Sequence, residues 1–276
     1  MPVIAMTREM GSLGKDVASR LSERLGKPLV HHEIIGLLAD KMRLRKSHVV
    51  RFLEGKAGIW ERMTTDQTSF AIYTADETLR LIENGSVGVL RGWGAAHLLR
   101  PVPHVVAVRI CAPLNTRVER MMERLQTEDR AFVESEIRLS EEAHAAITRR
   151  HFGVDWQQPE NYDIVLNTER LSVDECVEEI AALLPRPGFQ ETPESMRIFA
   201  NLALQMHVRA ALRHDPRTAK MSIGIDTSDG RVTLGGVLEP GLDQDDAMEV
   251  VQKVKGVTEI ESKLRVSALP RYKLDS

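Results

Sequence analysis

The stretch VIAMTREMGSLGKDV, residues 3–17, constrains this chain more than any other. Val3, Ile4, Ala5 and Met6 form a short apolar run that ends in a polar, glycine-containing segment, 7–14. Lys15 follows, and Val17, Ala18, Leu21 and Leu25 then recur at helical spacing on one face. Strand, glycine loop, lysine and helix in that order are the layout of a phosphate-binding loop. In such a loop, backbone N–H groups at the start of the helix cradle an anion and the lysine ammonium neutralises its charge. Against the pattern G-x-x-x-x-G-K-[ST], Gly14 and Lys15 fit. Glu9 stands in place of the first glycine, and Asp16 in place of the hydroxyl that binds magnesium. An ordinary strand-to-helix turn using Gly11 and Gly14 for backbone freedom would read the same way. The loop alone leaves both readings open.

Further along, strand-like and helical patterns alternate. Gly26-Lys27-Pro28 breaks the first helix, Leu29-Val30 begins a short strand, and 33–42 reads as a helix. Residues 47–84 are helical with an interruption near 55–58, and Asn84-Gly85 supplies a stop signal. Buried-type strands follow at 87–90, 105–110 and 163–166. The Gly92-Trp93-Gly94 turn and a charged helical stretch, 114–152, separate them, and a closing helix over 173–184 is capped by Ser172. This alternation predicts an α/β fold, a parallel sheet with flanking helices. The run PRPGFQETP, 185–193, reads as a linker. The expected organisation is a domain over 1–184, a linker over 185–193, a second domain over 194–268 and a tail over 269–276. The second domain reads as an amphipathic helix, 195–213, a β-hairpin turning at Ser228-Asp229-Gly230, a helix ending at Gly256, and a last strand holding Ile260, Leu264 and Val266. That is a small α+β unit.

Composition narrows the partners. With 42% hydrophobic and 28% charged residues and a formal net charge of -3, the chain has no bulk attraction to nucleic acid or anionic membranes. No apolar run approaches the roughly 20 residues needed to span a bilayer, and the first residues carry no signal-peptide pattern. Cys111 and Cys176 show neither metal nor redox spacing. They are expected to be buried thiols in a reducing, cytoplasmic setting.

Five runs together resemble the cytidylate kinase-like branch of the nucleoside monophosphate kinases. They are TREMGSLGKDVA (7–18), RGWGAAHLL (91–99), RICAPLNTRVERMM (109–122), TRRHFGVDW (148–156) and YDIVLNTERLSVDE (162–175), in the family's order and roughly its spacing. The resemblance implies a P-loop NTPase-type sheet with a helical lid, and ATP- and Mg²⁺-dependent phosphoryl transfer to a nucleoside monophosphate or similar small acceptor. It implies a phosphate cradle of Gly11, Ser12, Gly14 and Lys15, with Asp16 reaching Mg²⁺ through water. It also implies a lid over 127–152, with Arg149 and Arg150 joining Lys15 as charge clamps. The C-terminal segment is similar to a BON domain through its leading helix, DGRVTLGGVL (229–238) and VKGVTEIESKLRV (254–266). Such domains imply attachment to a small ligand, a protein or a phospholipid surface.

Departures from the family stand beside these matches. His31-His32 replaces an expected Asp-Arg pair, Gly92-Trp93-Gly94 an expected Gly-Arg-Gly, and Glu141 with His144 an expected Asp-x-x-Arg. Two adjacent histidines on a strand point to opposite faces, so no metal site is expected there. Each lost guanidinium removes charge that phosphoryl transfer needs. A catalytically weak nucleotide sensor is therefore the alternative to a working kinase. The third reading gives the biology to the BON unit and leaves the kinase-like part as scaffold.

Overall fold

The computed structural model describes residues 3–30, 33–53, 66–85, 87–92 and 94–267, and the chain divides into two compact units, Met1–Ser195 and Met196–Ser276. In the first, β1 (Val3–Arg8), β2 (Leu29–Val30), β3 (Val89–Arg91), β4 (Val105–Cys111) and β5 (Ile164–Asn167) form one sheet in the order β2-β3-β1-β4-β5. All neighbours are parallel, with Ile4 beside Val89 and Ala5 beside Ala107. The central position of β1 explains its apolar run: Ile4, Ala5 and Met6 are wholly buried, as a parallel strand covered on both faces requires.

Helices fill the connections: α1 (Gly14–Leu25), α2 (Glu33–Met42), α3 (Lys46–Leu53), α4 (Gln67–Glu83), α5 (Ala95–Leu98), α6 (Leu114–Leu125), α7 (Arg130–Phe152) and α8 (Val173–Leu183). Val17, Ala18 and Leu21 of α1 and Cys176, Val177 and Ile180 of α8 pack with Ile4, Val106 and Val108 in one core. The chain leaves β1 toward β3 and β2 but leaves β4 toward β5. The segments that follow these two neighbouring strands therefore diverge and open a crevice at the strands' carboxyl ends, the usual ligand position in such sheets.

Local signals place most boundaries. Asp66 caps α4 by accepting from the N–H groups of Thr68 and Ser69, and Ser172 and Glu175 form a reciprocal capping box on α8. The stretch 114–152 is two helices: Gln126 is left-handed (φ 52°) after α6, and Asp129 caps α7. The stop after α4 falls to Gly85 (φ 68°) rather than Asn84 (φ −75°). Cys176 is buried as expected, whereas Cys111 is only half-buried, with its thiol toward Leu166 O.

The second unit holds most of α9 (Pro193–His214), whose first residues belong to the first unit. β6 (Gly224–Ser228) and β7 (Arg231–Leu238) then form an antiparallel hairpin. Its turn residues, Asp229 and Gly230, both have positive φ (50° and 86°), as a tight hairpin of right-handed twist demands. After α10 (Gln244–Gln252), β8 (Glu259–Val266) lies parallel to β7. Leu204, Val208 and Leu212 of α9 pack with Val232, Leu234, Ala247 and Val251 in a separate core. Among the described residues no helix is long and apolar enough to cross a membrane.

Leu21→Ala removes a wholly buried side chain from the core between α1 and the sheet. We expect it to lower the unfolding free energy by about 2–5 kcal/mol in urea denaturation. A loss under about 1 kcal/mol would mean that α1 is not packed as described.

Candidate functional site

The loop from Glu9 to Leu13 carries the chain from β1 into α1. Gly11 is left-handed (φ 82°), and a Cβ there would lie 2.7 Å from the Arg117 carbonyl oxygen, so this position requires glycine twice over. Leu13 is also left-handed (φ 58°) and caps α1 without any side-chain hydrogen bond. The helix ladder starts at Asp16 N–H and Val17 N–H, both donating to Leu13 O (2.9 and 3.0 Å). The N–H groups of Gly11, Leu13, Gly14 and Lys15 have no hydrogen-bond partner among the described residues. An uncapped helix start of this kind carries partial positive charge and suits an anion.

In front of it lies a pocket of about 520 Å³. Gly11, Gly14, Lys15 and Asp16 line one side, and Arg120, Met121, Glu123 and Arg124 of α6 line the other, with Arg8 and Glu9 beside them. Lys15 is exposed. Arg120 is held by Thr168, donating from Nη1 to Oγ1 (3.0 Å) and from Nη2 to the carbonyl (2.7 Å). Thr168 Oγ1 in turn donates to Ser12 O at 2.9 Å, so the loop after β5 braces both the phosphate loop and this arginine.

Four of the sequence-predicted residues, Gly11, Gly14, Lys15 and Asp16, thus come together. Ser12 is turned inward and wholly buried, its Oγ within hydrogen-bonding distance of Glu9 O (2.8 Å) and Ile110 O (3.1 Å). Arg149 and Arg150 are exposed on the last turn of α7 and do not line the pocket. Arg120 and Arg124 belong to no phosphate-loop motif in the sequence. Their spacing of four puts them on one helix face, but only the pairing of β1 with β4 brings that face to the loop.

A buried ion network lies behind the pocket. Arg109 Nη2 donates to Glu9 Oε1 (2.6 Å), Ala112 N–H donates to Glu9 Oε2 (3.2 Å), and Arg117 Nε lies 3.3 Å from Oε2. Arg117 also donates to Ala112 O (2.9 Å) and Met10 O (3.4 Å) and pairs with Glu141 at 2.7 Å. Glu9 therefore ties the end of β1 to β4 and to α6. Glu141, expected as part of a lid motif, is the ion-pair partner of Arg117.

His144 stacks on Trp156 with ring centroids 4.6 Å apart, and its Nε2 and Trp156 Nε1 are buried with no hydrogen-bond partner among the described residues. Burial, reinforced by His97, Arg8 and Arg109, pushes the His144 pKa down to about 4. An ordinary histidine would gain charge as pH falls through 6.5, whereas this ring stays neutral across that range. His31, His32 and Trp93, the other departures, lie outside the described residues.

The unfolded chain takes up a proton at His144 below about pH 6.5 while the folded one does so only near pH 4. This group's share of stability is therefore full above pH 6.5 and is lost as pH falls toward 4. We expect His144→Gln to flatten that part of the stability-against-pH profile measured by thermal melts. An unchanged slope would contradict the buried, neutral assignment.

A parallel five-stranded sheet, an uncapped glycine loop opening its central helix and a cation-lined crevice define a P-loop kinase fold. The chain belongs to the Cytidylate kinase-like family, whose sequence pattern matches residues 3–170, and it carries a BON domain over residues 201–268. A cytidylate kinase from Methanothermobacter thermautotrophicus is 28% identical over 159 residues, covering 57% of this chain and 89% of that protein. Uronate isomerase from Corynebacterium glutamicum is 33% identical over 117 residues, 41% of this chain; the match spans only 21% of that enzyme. An uncharacterized protein from Eubacterium ventriosum superposes with a TM-score of 0.52 at 21% identity, over 67% of this chain and all of that one. That likeness speaks to fold alone.

Proposed function

We propose that the crevice between α1 and α6 binds a nucleoside triphosphate, ATP with Mg²⁺, and that the protein transfers its terminal phosphoryl group slowly to a nucleoside monophosphate or similar small acceptor. The observation that carries this reading is the meeting of four unbonded N–H groups (Gly11, Leu13, Gly14, Lys15) with the cationic side chains of Lys15, Arg120 and Arg124 around one pocket. Phosphoryl transfer asks a protein mainly to hold phosphates and offset their charge. The N–H groups would hold the phosphate oxygens, Lys15 would neutralise them, and Arg120, already oriented by Thr168, would need no rearrangement to act. Asp16 and Glu123 are the pocket carboxylates that suit a hard cation, directly or through water. Mg²⁺, when bound, would offset charge across the phosphates. In this reading Arg149 and Arg150 act only if α7 moves as a lid, and 185–193 is the join to the BON domain.

The weak-sensor reading is favoured by one specific observation. Arg109 and Arg117 are committed to Glu9 and Glu141, and His144 stays neutral, so among the described residues these three groups would lend an acceptor phosphate little free positive charge. In that case bound nucleotide would be reported through the BON domain to a small ligand, a protein or a phospholipid surface. Both readings suit a cytoplasmic protein.

Calorimetry with MgATP should show Lys15→Ala weakening binding about tenfold or more, since a charge-assisted contact contributes about 1.5–3 kcal/mol. Equal affinity would remove the phosphate-loop assignment. A coupled assay across CMP, dCMP, UMP, AMP and GMP should give turnover well below the roughly 1–100 per second of kinases. Fast transfer to any of them would rule out the sensor reading and leave an ordinary kinase.

A further inference from the structure

Strand β8 is the outer strand of the second unit's sheet, ordered β6-β7-β8, and among the described residues no strand pairs with its free side. Its eight residues, EIESKLRV, fall into two alternating sets. Glu259, Glu261, Lys263 and Arg265 are exposed on one face. Ile260, Ser262 and Leu264 lie on the other, where Leu264 belongs to the core and Ile260 packs against it.

The ladder phase shows which backbone groups are available. Ser267 N–H donates to Leu238 O at 2.9 Å. In a regular parallel ladder that bond turns the odd-numbered residues of β8 toward β7 and leaves the N–H and C=O groups of Ile260, Ser262 and Leu264 at the free edge. Leu264 N–H finds only Ser262 Oγ there, at a long 3.4 Å.

An antiparallel copy of the same strand can bond this edge only in registers that set even residues against even and odd against odd. The charges discriminate among those registers. With the two-fold axis on Glu261 or on Lys263, one opposite-charge pair forms twice, but the axial residue faces its own copy, like charge against like. With the axis on Ser262, Glu261 faces the partner's Lys263 and Glu259 faces the partner's Arg265, each twice. On the opposite face, Ile260 meets the partner's Leu264. Charged residues on an edge strand normally protect it from pairing; here their palindromic order favours one register over its neighbours. The pairs they now make, Arg231 with Glu259 (2.9 Å) and Lys263 with Glu261 (3.1 Å), are solvent-exposed and offer weak competition.

We propose that the protein pairs with a second copy of itself through β8, antiparallel about a two-fold axis at Ser262, joining two three-stranded sheets into one of six strands. Nothing in this depends on the nucleotide reading. Light scattering on the full chain across micromolar concentrations should give a mass approaching twice 31.0 kDa. Glu261→Lys and Lys263→Glu each turn both symmetric pairs repulsive, and each should shift the monomer–dimer midpoint about tenfold or more upward. The double exchange, Glu261→Lys with Lys263→Glu, should restore dimerisation because opposite charges face one another again. Both positions are exposed, and thermal melts confirm that each variant is folded. A chain monomeric at every concentration, a dimer indifferent to the single variants, or a double exchange that fails to restore it would each overturn the proposal.

Discussion

A carboxylate buried at the end of a central strand must be compensated where it sits, because desolvating a charge costs several kcal/mol that only close partners can offset. Glu9, 7% exposed, is such a group, held by Arg109, Arg117 and the N–H of Ala112. These partners come from β4 and from the chain that follows it into α6. The single carboxylate thus fastens the ends of two neighbouring strands whose onward connections diverge. With that point fixed, the next residues pass through left-handed Gly11 and Leu13, and α1 starts without a side-chain cap. Its first N–H groups find no partner among the described residues, and their residues line the crevice. A glycine at position 9 could not perform this fastening, which accounts for the departure from the usual phosphate-loop pattern.

The same network sorts the cations of the unit. Arg109 and Arg117 are taken up by protein carboxylates, and Arg109 also lies over the Trp156 ring. Among the described residues Arg120 is held by the neutral oxygens of Thr168, so its orientation is set without a carboxylate pairing its charge. Next to the network, His144 and Trp156 keep buried ring nitrogens without partners among the described residues, and His144 contributes no charge near neutral pH. Among the described residues the α1–α6 side of the crevice carries Lys15, Arg120 and Arg124 beside the carboxylates Asp16 and Glu123, and the arginines behind it are paired.

Much of the architecture was legible because local periodicity and local chemistry agree. The apolar run of β1, the α1 face, the Ser172 capping box and the Asp229-Gly230 hairpin each follow from neighbours in sequence. What escaped depends on contacts distant in the chain. The break between α6 and α7 lies at Gln126, whose left-handed backbone has no glycine or proline to announce it. Ser12 reads as a phosphate ligand until Glu9 O and Ile110 O are seen to claim its hydroxyl. Arg120 and Arg124 become site residues only through the β1–β4 register, and the neutrality of His144 only through burial against Trp156.

The unbonded N–H groups at the start of α1 are the proposed anion site. Amide chemical shifts of Gly11, Leu13, Gly14 and Lys15 in the ¹⁵N-labelled full chain, followed while MgATP is added, test it most directly. Large, saturable shifts at these four amides, with smaller ones at the start of the neighbouring helix turns, are predicted. Saturable shifts confined to other parts of the chain, with these amides unmoved, would contradict the account.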